Sequence, residues 1–347
     1  MMIEVIRIVT VCIISFVVAF TLAPIILGGL KRMKAGKQIR VSEQSPIFSS
    51  LHKKKEGTPT MGGITIWLTL IVVTGTFWFL AHLYNGFWDY LNFIDRAETF
   101  LPLAAFLIAA LLGLFDDILG VKRLGDKGGG LKVSHKLVIY FLISVVGAWW
   151  FTFKLDWQLI HVPFLGNFDI GWWYVPIFMF IIVASAFSGD ITDGLDGLWG
   201  GTSLFIYTAL GVVAFALGRY DLAAMIGVIL GALLAFLWFN IYPAKFFMGD
   251  TGAMALGITM GVITMLTNTV FLLPLFAVVP VIESVSVIVQ TISKKFFGRK
   301  IFLSTPIHHH FEALGWPESQ ITMRFWIISV MGVGAALAIF FLDRLVI

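Results

Sequence analysis

Residues 222–269 read LAAMIGVILGALLAFLWFNIYPAKFFMGDTGAMALGITMGVITMLTNT, two apolar runs joined by a junction whose charged residues are Lys245 and Asp250. A helix that crosses a bilayer needs about 20 predominantly apolar residues, and 222–243 and 252–269 supply two such stretches. Hydrocarbon offers backbone N–H and C=O groups no water, so runs of this length satisfy themselves as helices. The junction is then a turn at a membrane surface, and it carries a carboxylate beside Gly249 and Gly252.

Eight more runs lie to either side, at roughly 5–27, 61–83, 100–119, 135–153, 173–189, 198–217, 274–294 and 324–345, each bounded by charge, Gly or Pro. Of the 347 residues, 59% are hydrophobic and 13% charged, against about 25% charged in soluble domains. That excludes a water-soluble core. The expected fold is an all-α integral membrane protein with about ten transmembrane helices, forming one domain over residues 1–347. Its inner loops fall at about 28–60, 116–134, 190–197, 244–251 and 295–323. The run at 274–294 holds Pro274, Pro280 and Glu283, which predicts a kinked or broken helix. The single cysteine, Cys12, lies inside the first run, so no internal disulfide is available.

Charge sets the orientation. Ile8–Leu27 is long for a signal peptide, and its basic cluster (Lys31, Arg32, Lys34, Lys37, Arg40) follows the apolar run, as for an uncleaved first span with its N-terminus outside. With the first loop inside, only Arg7, Arg96, Lys154, Arg219 and Arg344 of the 24 Lys and Arg fall at the outer face. This obeys the positive-inside rule and puts both termini outside. It also explains the net charge of +4 without a nucleic-acid partner. On the outer side, Trp157–Val162 and Phe168–Trp172, around Gly166 and Asn167, have the composition of a small hairpin. Asn85–Thr99 reads as an interfacial helix.

Carboxylates gather at the inner ends of the runs: Asp116 and Asp117 in LFDDILG, Asp190, Asp193 and Asp196 in SGDITDGLDGLWGG, and Asp250. Converging acids repel one another, and a divalent cation such as Mg²⁺, which takes carboxylate oxygens, relieves that repulsion. Asp193 and Asp196 would share a face if they lay on a helix. The bland alternative is capping, with Asp250 and Thr251 opening one helix and Asp190 or Thr192 another. It suits any one junction better than three on a single face. GTPTMGG (57–63) predicts a turn offering backbone N–H groups to a phosphate at a helix start, with His52, Lys53, Lys54 and Lys55 adding charge. His308, His309 and His310 are adjacent, which does not suit three zinc ligands on one helix; imidazoles near acids suit phosphate contact or proton transfer. Arg299 and Lys300 nearby are further phosphate candidates.

These motifs, in order GTPTMGG, FDD, TDGLDGL, FNIYPAKFFMGDTG, ESVSVIVQ, TPIHHHFEALGWPE and RFWIIS, resemble the polyprenyl-phosphate N-acetylhexosamine-1-phosphate transferases, and HHHFE with GWPE resembles the phospho-N-acetylmuramoyl-pentapeptide transferase branch. The resemblance covers most of the chain. It implies attack of undecaprenyl phosphate on UDP-N-acetylmuramoyl-pentapeptide, giving UMP and the peptidoglycan precursor lipid I. It further implies Mg²⁺, a homodimer, and a cytoplasmic active site in the bacterial inner (plasma) membrane. By motif position, Asp250 resembles the Mg²⁺ ligand, and Phe247 is placed to stack on uracil. Asp193 and Asp196 resemble nucleotide- and sugar-contacting residues, and Asp116 and Asp117 the pair that handles the lipid phosphate, Asp116 being the better base. His308 would assist at the phosphates; Lys55, Thr60, Asn240, Gln290 and His309 resemble contact residues. Glu283 suits a structural role in the broken helix equally well.

Three positions depart from the family pattern. Gly120 stands where a Lys is usual, with Lys122, Lys132 and Lys136 as possible substitutes, and Phe187 and Asp190 stand where two Asn are usual. Transfer of another N-acetylhexosamine phosphate shares all the acid motifs, and a cation-coupled transporter is the competing reading from a different class. Direct attack and a covalent aspartyl intermediate both stay open.

Overall fold

The computed structural model describes residues 1–36, 55, 57–84, 86–94, 97–125 and 129–346. His52, Lys53, Lys54 and Arg96 lie outside the described residues. Thirteen α-helices are defined among them: α1 (Met2–Arg32), α2 (Ile64–Leu83), α3 (Phe87–Leu91), α4 (Ala97–Val121), α5 (Val133–Phe153), α6 (Tyr174–Thr192), α7 (Leu198–Ala216), α8 (Tyr220–Asn240), α9 (Asp250–Leu266), α10 (Leu273–Phe276), α11 (Val278–Phe297), α12 (Ile307–Ala313) and α13 (Glu318–Val346). Every apolar run in the sequence is helical. Among the described residues eight helices are long and apolar enough to cross a membrane; α10 and α11 make a further bent pair, and α9 is apolar but shorter.

α8 and α9 form the centre. In α9 every residue from Thr251 to Leu266 is buried, and α8 is nearly as enclosed. α9 packs against α4 and α6, while α8 packs against α1 and α7. Without a hydrophobic drive between helices in lipid, close packing and interhelical hydrogen bonds hold such a bundle. Ser15 of α1 donates to the Val228 carbonyl at 2.6 Å, and Tyr207 of α7 to the Leu256 carbonyl at 2.7 Å. α5, on the rim, instead exposes Leu142, Val146 and Trp149, which suits a lipid-facing surface.

The ninth run breaks as its prolines predict. The segments 270–276 and 278–297 meet at 86°, with Ala277 between them at φ −106°, ψ 36°. Pro274 and Pro280 fall in the first turns of α10 and α11, where a helix has no use for the missing N–H. They therefore start two helices rather than kink one.

The bundle has two polar faces. At one, Arg7 of α1 bonds Asp221 of α8 at 2.8 Å and the Asn92 carbonyl at 2.7 Å. The hairpin lies here, β1 (Leu159–Val162) pairing antiparallel with β2 (Gly166–Asp169). Gly166 and Asn167 belong to β2 and not to the turn. Pro163, Phe164 and Leu165 make the turn, with Phe164 at φ 65° and the Leu165 N–H on the Val162 carbonyl. Asp343 near the end of α13 clamps it, accepting from the Phe164 N–H at 2.6 Å and lying 2.7 Å from His161 Nε2. Of the expected interfacial helix at 85–99, residues 87–91 form α3 and 97–99 belong to α4, while Asn85, Asp95 and Arg96 lie outside the described residues. All the acid junctions lie at the opposite face.

Candidate active site

α4 delivers Asp116 and Asp117 in its last turns, α6 delivers Asp190, and Asp250 is the first residue of α9. Neither capping expectation holds. Gly249 stands at the N-cap of α9 without a side-chain bond, and Gly197 does so for α7. Asp190 and Thr192 lie inside α6 instead. Released from capping, these carboxylates turn to Lys136, in the first turn of α5. Its Nζ lies 2.7 Å from Asp250 Oδ2, 3.1 Å from Asp116 Oδ2 and 3.2 Å from Asp190 Oδ2. Asp117 sits alongside, accepting from the Thr251 N–H at 3.0 Å and lying 3.4 Å from Thr60 Oγ1. Asp116 also accepts from the Leu131 N–H at 2.6 Å. Gly249 is required here: its φ is 74°, and a Cβ would come within 2.5 Å of Asp117 Oδ2.

The GTPTMGG turn is not a phosphate cradle. Gly62 and Gly63 donate their N–H groups to the carbonyls of Phe247 and Met248 at 2.7 and 2.8 Å, and the Phe247 N–H bonds the Pro59 carbonyl at 2.8 Å. Thr58 and Thr60 donate instead to the Lys55 and Ala35 carbonyls, so it is Gly62 and Gly63 that tie the turn to the α8–α9 junction, where Asp250 starts its helix.

A second charge centre lies at the other end of that junction. Lys55 Nζ is 2.7 Å from Asp196 Oδ1, contacts Glu318, and stands 5.6 Å from the centre of the Phe247 ring. Burial works against the ammonium, but the carboxylates of Glu318 and Asp196 outweigh it and raise Lys55 above its ordinary pKa. Asp193 and Asp196 lie in the turn between α6 and α7 and not on a helix. Asp196 is held there by the Ala244 N–H at 3.0 Å, and its own N–H donates to Glu318 at 2.6 Å. Asn240 ties the same parts together, accepting from the Gly197 N–H and donating to the Phe246 carbonyl, both at 3.0 Å. Asp193 is half-buried at the C-terminus of α6.

The three histidines point to three different partners, as adjacent residues on a helix must. His308 Nδ1 is 2.9 Å from Glu283 Oε2, both side chains being fully buried. His308 Nε2 has no hydrogen-bond partner among the described residues and is directed at Gly194, where any Cβ would overlap the ring. His309 Nδ1 lies 2.6 Å from Glu312, and His310 Nδ1 accepts from the Leu303 N–H. Gln290 braces the loop after α11, accepting from the N–H groups of Ile301 and Phe302 at 2.9 and 3.1 Å and donating to the Phe302 carbonyl at 2.9 Å.

The structure thus gathers Asp116, Asp117, Asp190 and Asp250 around Lys136, with Thr60 beside them. Lys55, Asp196, Asn240 and Phe247 form the adjoining centre, and His308 faces the turn that carries Asp193. Gln290 and His309 are engaged with their own loop and helix. Three pairings were not drawn from sequence, and one of the residues, Glu318, was not named there at all. Glu318 lay unassigned in GWPE, Lys136 was one of several candidate lysines, and Glu283 proves to hold His308. Their common signal is a charge at or inside an apolar run. Of the unusual positions, Asp190 is a Lys136 partner, while Phe187 packs on the main core.

Among the described residues no three His, Cys, Asp or Glu side chains stand together at metal-ligand spacing. The donor chemistry nevertheless fits a hard divalent cation, because four carboxylates face one ammonium and leave an excess of negative charge.

Two comparisons show what the chain is similar to. A family described as "Glycosyl transferase family 4" matches residues 99–268, the stretch from the Asp116–Asp117 helix through α9. The chain is 36% identical over 321 residues to a phospho-N-acetylmuramoyl-pentapeptide-transferase of Geobacillus thermodenitrificans, covering 92% of this chain and 93% of that protein. It is 38% identical over 331 residues to one of Clostridium perfringens, covering 94% of each. With one of Desulforamulus reducens it shares 36% over 324 residues, 92% of this chain and 91% of the other. With the site at one face of an apolar helix bundle, the chain belongs to the phospho-N-acetylmuramoyl-pentapeptide-transferase family of membrane phospho-sugar transferases.

Proposed function

We propose that the protein transfers phospho-N-acetylmuramoyl-pentapeptide from its UDP-activated form to undecaprenyl phosphate, releasing UMP and forming lipid I, with Mg²⁺ as cofactor and the site at the cytoplasmic face of the plasma membrane. One observation carries this reading. The α8–α9 junction puts Phe247, under Lys55, three residues from Asp250, under Lys136. Those two backbone positions are at most about 11 Å apart, a span suited to a ligand with a ring at one end and phosphates at the other.

In the proposed reaction an oxygen of the lipid phosphate forms a bond to the β-phosphorus of the UDP-sugar. The bond from that phosphorus to the bridging oxygen breaks, and UMP leaves with the electron pair. Both reactants are anions, so the cost lies in bringing like charges together, and positioning with charge neutralisation supplies most of the catalysis. Lys136 would meet the phosphates while Asp116 and Asp190 keep its ammonium aimed at them. Asp250 and Asp117 would hold the Mg²⁺, which stabilises negative charge on the pyrophosphate when bound. Phe247 and Lys55 would take the uracil end, with Asp193, Asp196 and Asn240 shaping the pocket. Glu283 holds His308 Nδ1, leaving Nε2 to exchange a hydrogen bond or proton with a phosphate.

The test is UMP release by purified protein with undecaprenyl phosphate, UDP-N-acetylmuramoyl-pentapeptide and Mg²⁺, alongside Asp250→Ala. Mg²⁺-dependent turnover that the variant abolishes is the expected result. Turnover with a different UDP-N-acetylhexosamine and none with this one would overturn the substrate assignment.

A further inference from the structure

A cavity of about 710 Å³ opens at the face opposite the carboxylates, between the hairpin, the start of α8 and the end of α13. Its lining combines Trp157 and Phe340 with Arg219, Arg344, Asp156 and Asp343. Two of the five Lys and Arg that the sequence places at this face therefore line one cavity, although the face is poor in cations.

The charges differ in how far they are committed. Asp343 is occupied on both oxygens by the Phe164 N–H and His161. Arg219 lies over the Trp157 ring at 5.2 Å, and its buried Nη1 stands 3.4 Å from Glu98 Oε2, an ion pair longer than a good hydrogen bond and with no hydrogen-bond partner for Nη1 among the described residues. Arg344 packs its guanidinium 5.1 Å from the Phe340 ring centre. Asp156 stands exposed at the rim. Two cations and two anions balance, so a ligand of one sign gains little here, whereas a ligand carrying both signs satisfies both ends. The cavity sits where spanning helices end, at headgroup depth, and exposed Phe271 and Leu159 in its lining offer apolar surface to acyl chains.

We propose that this cavity binds the zwitterionic headgroup of a phospholipid from the leaflet opposite the active site. The phosphodiester would lie between Arg344 and Arg219, where charge-assisted hydrogen bonds are strongest, and the amine would face Asp156. The site holds a structural lipid against the hairpin and the end of α13.

The experiment uses the full chain in detergent, titrated with phosphatidylethanolamine, phosphatidylglycerol or inorganic phosphate and read by native mass spectrometry. Arg344→Gln and Asp156→Asn are the variants. Both residues are exposed, and Asn tolerates the positive φ of 50° at position 156, so folding is preserved and UMP release serves as the control. Wild type should retain phosphatidylethanolamine, and Arg344→Gln should weaken it by about tenfold, the value of one hydrogen bond to a charged group. Asp156→Asn should weaken phosphatidylethanolamine and leave phosphatidylglycerol unchanged. Equal retention by wild type and both variants, or none by wild type, overturns the site. Equal binding of phosphatidylglycerol or inorganic phosphate overturns the zwitterion assignment.

Discussion

At the start of α5 a single ammonium meets three carboxylates within 3.2 Å, and removing it leaves them to repel one another. Lys136→Met should therefore lower kcat for UMP release by about a hundredfold or more, in the range of losing one charged stabiliser of the transition state. Asp190→Asn tests a different quantity. It restores the amide usual in the family and removes only the longest of the three contacts, so the drop should stay within about tenfold. If both variants fall equally in steady-state kinetics, Asp190 acts on substrate itself rather than through Lys136. At His308 stability and activity separate. His308→Ala strands the buried Glu283 and should cost about 3–5 kcal/mol, read as a lower melting temperature. His308→Gln can keep the Glu283 hydrogen bond, so it should recover much of that stability while staying inactive. The acids were legible in the sequence because carboxylates at the ends of apolar runs demand a reason. Their partner was not, since Lys136 is distant in sequence and only the packing of α5 on α6 brings it to Asp190.

Elements decide where these residues stand. The α8–α9 junction is fixed by the GTPTMGG turn, from whose Gly62 and Gly63 N–H groups it accepts, and by a positive φ at Gly249. Gly249→Ala adds strain of roughly 1–3 kcal/mol, because φ 74° with ψ 173° is backbone essentially confined to glycine, and pushes against Asp117. Activity should fall much further than the melting temperature suggests, because the displaced carboxylate is in the site. On the other face, Asp343 joins the hairpin to α13, and Asp343→Ala should cost about 1–3 kcal/mol through two lost hydrogen bonds. Differential scanning fluorimetry reads this loss, and amide exchange in residues 159–169 locates it. The sequence marked the hairpin and the broken ninth run, since aromatic and β-branched content and two prolines are local signals. It misplaced the hairpin turn, and it assigned the Gly62 and Gly63 donors of GTPTMGG to a ligand, because the segment that takes them lies far along the chain.

For the whole molecule, the bundle separates two polar faces, and the proposed orientation is testable with cysteines. With Cys12→Ser as background, Leu165→Cys in the hairpin turn and Leu314→Cys after α12 occupy exposed positions on opposite faces. An impermeant maleimide should label only Leu165→Cys in intact cells, and labelling of Leu314→Cys from outside would invert the orientation. Chelation of divalent ions should abolish turnover and Mg²⁺ should restore it. Independently of turnover, Mg²⁺ should raise the melting temperature of wild type and not of Asp250→Ala, because a ligand stabilises only the state that binds it.

The helices, their apolar lengths, the break near Ala277 and the acid-bearing face were written in the sequence by itself, because bilayer thickness and the rule that buried backbone must hydrogen-bond act on contiguous residues. Tertiary structure alone decided which charges meet. Lys136 with Asp190, Lys55 with Glu318 and Glu283 with His308 are each joined across separate elements, and such pairings follow from helix packing, for which sequence periodicity carries no address.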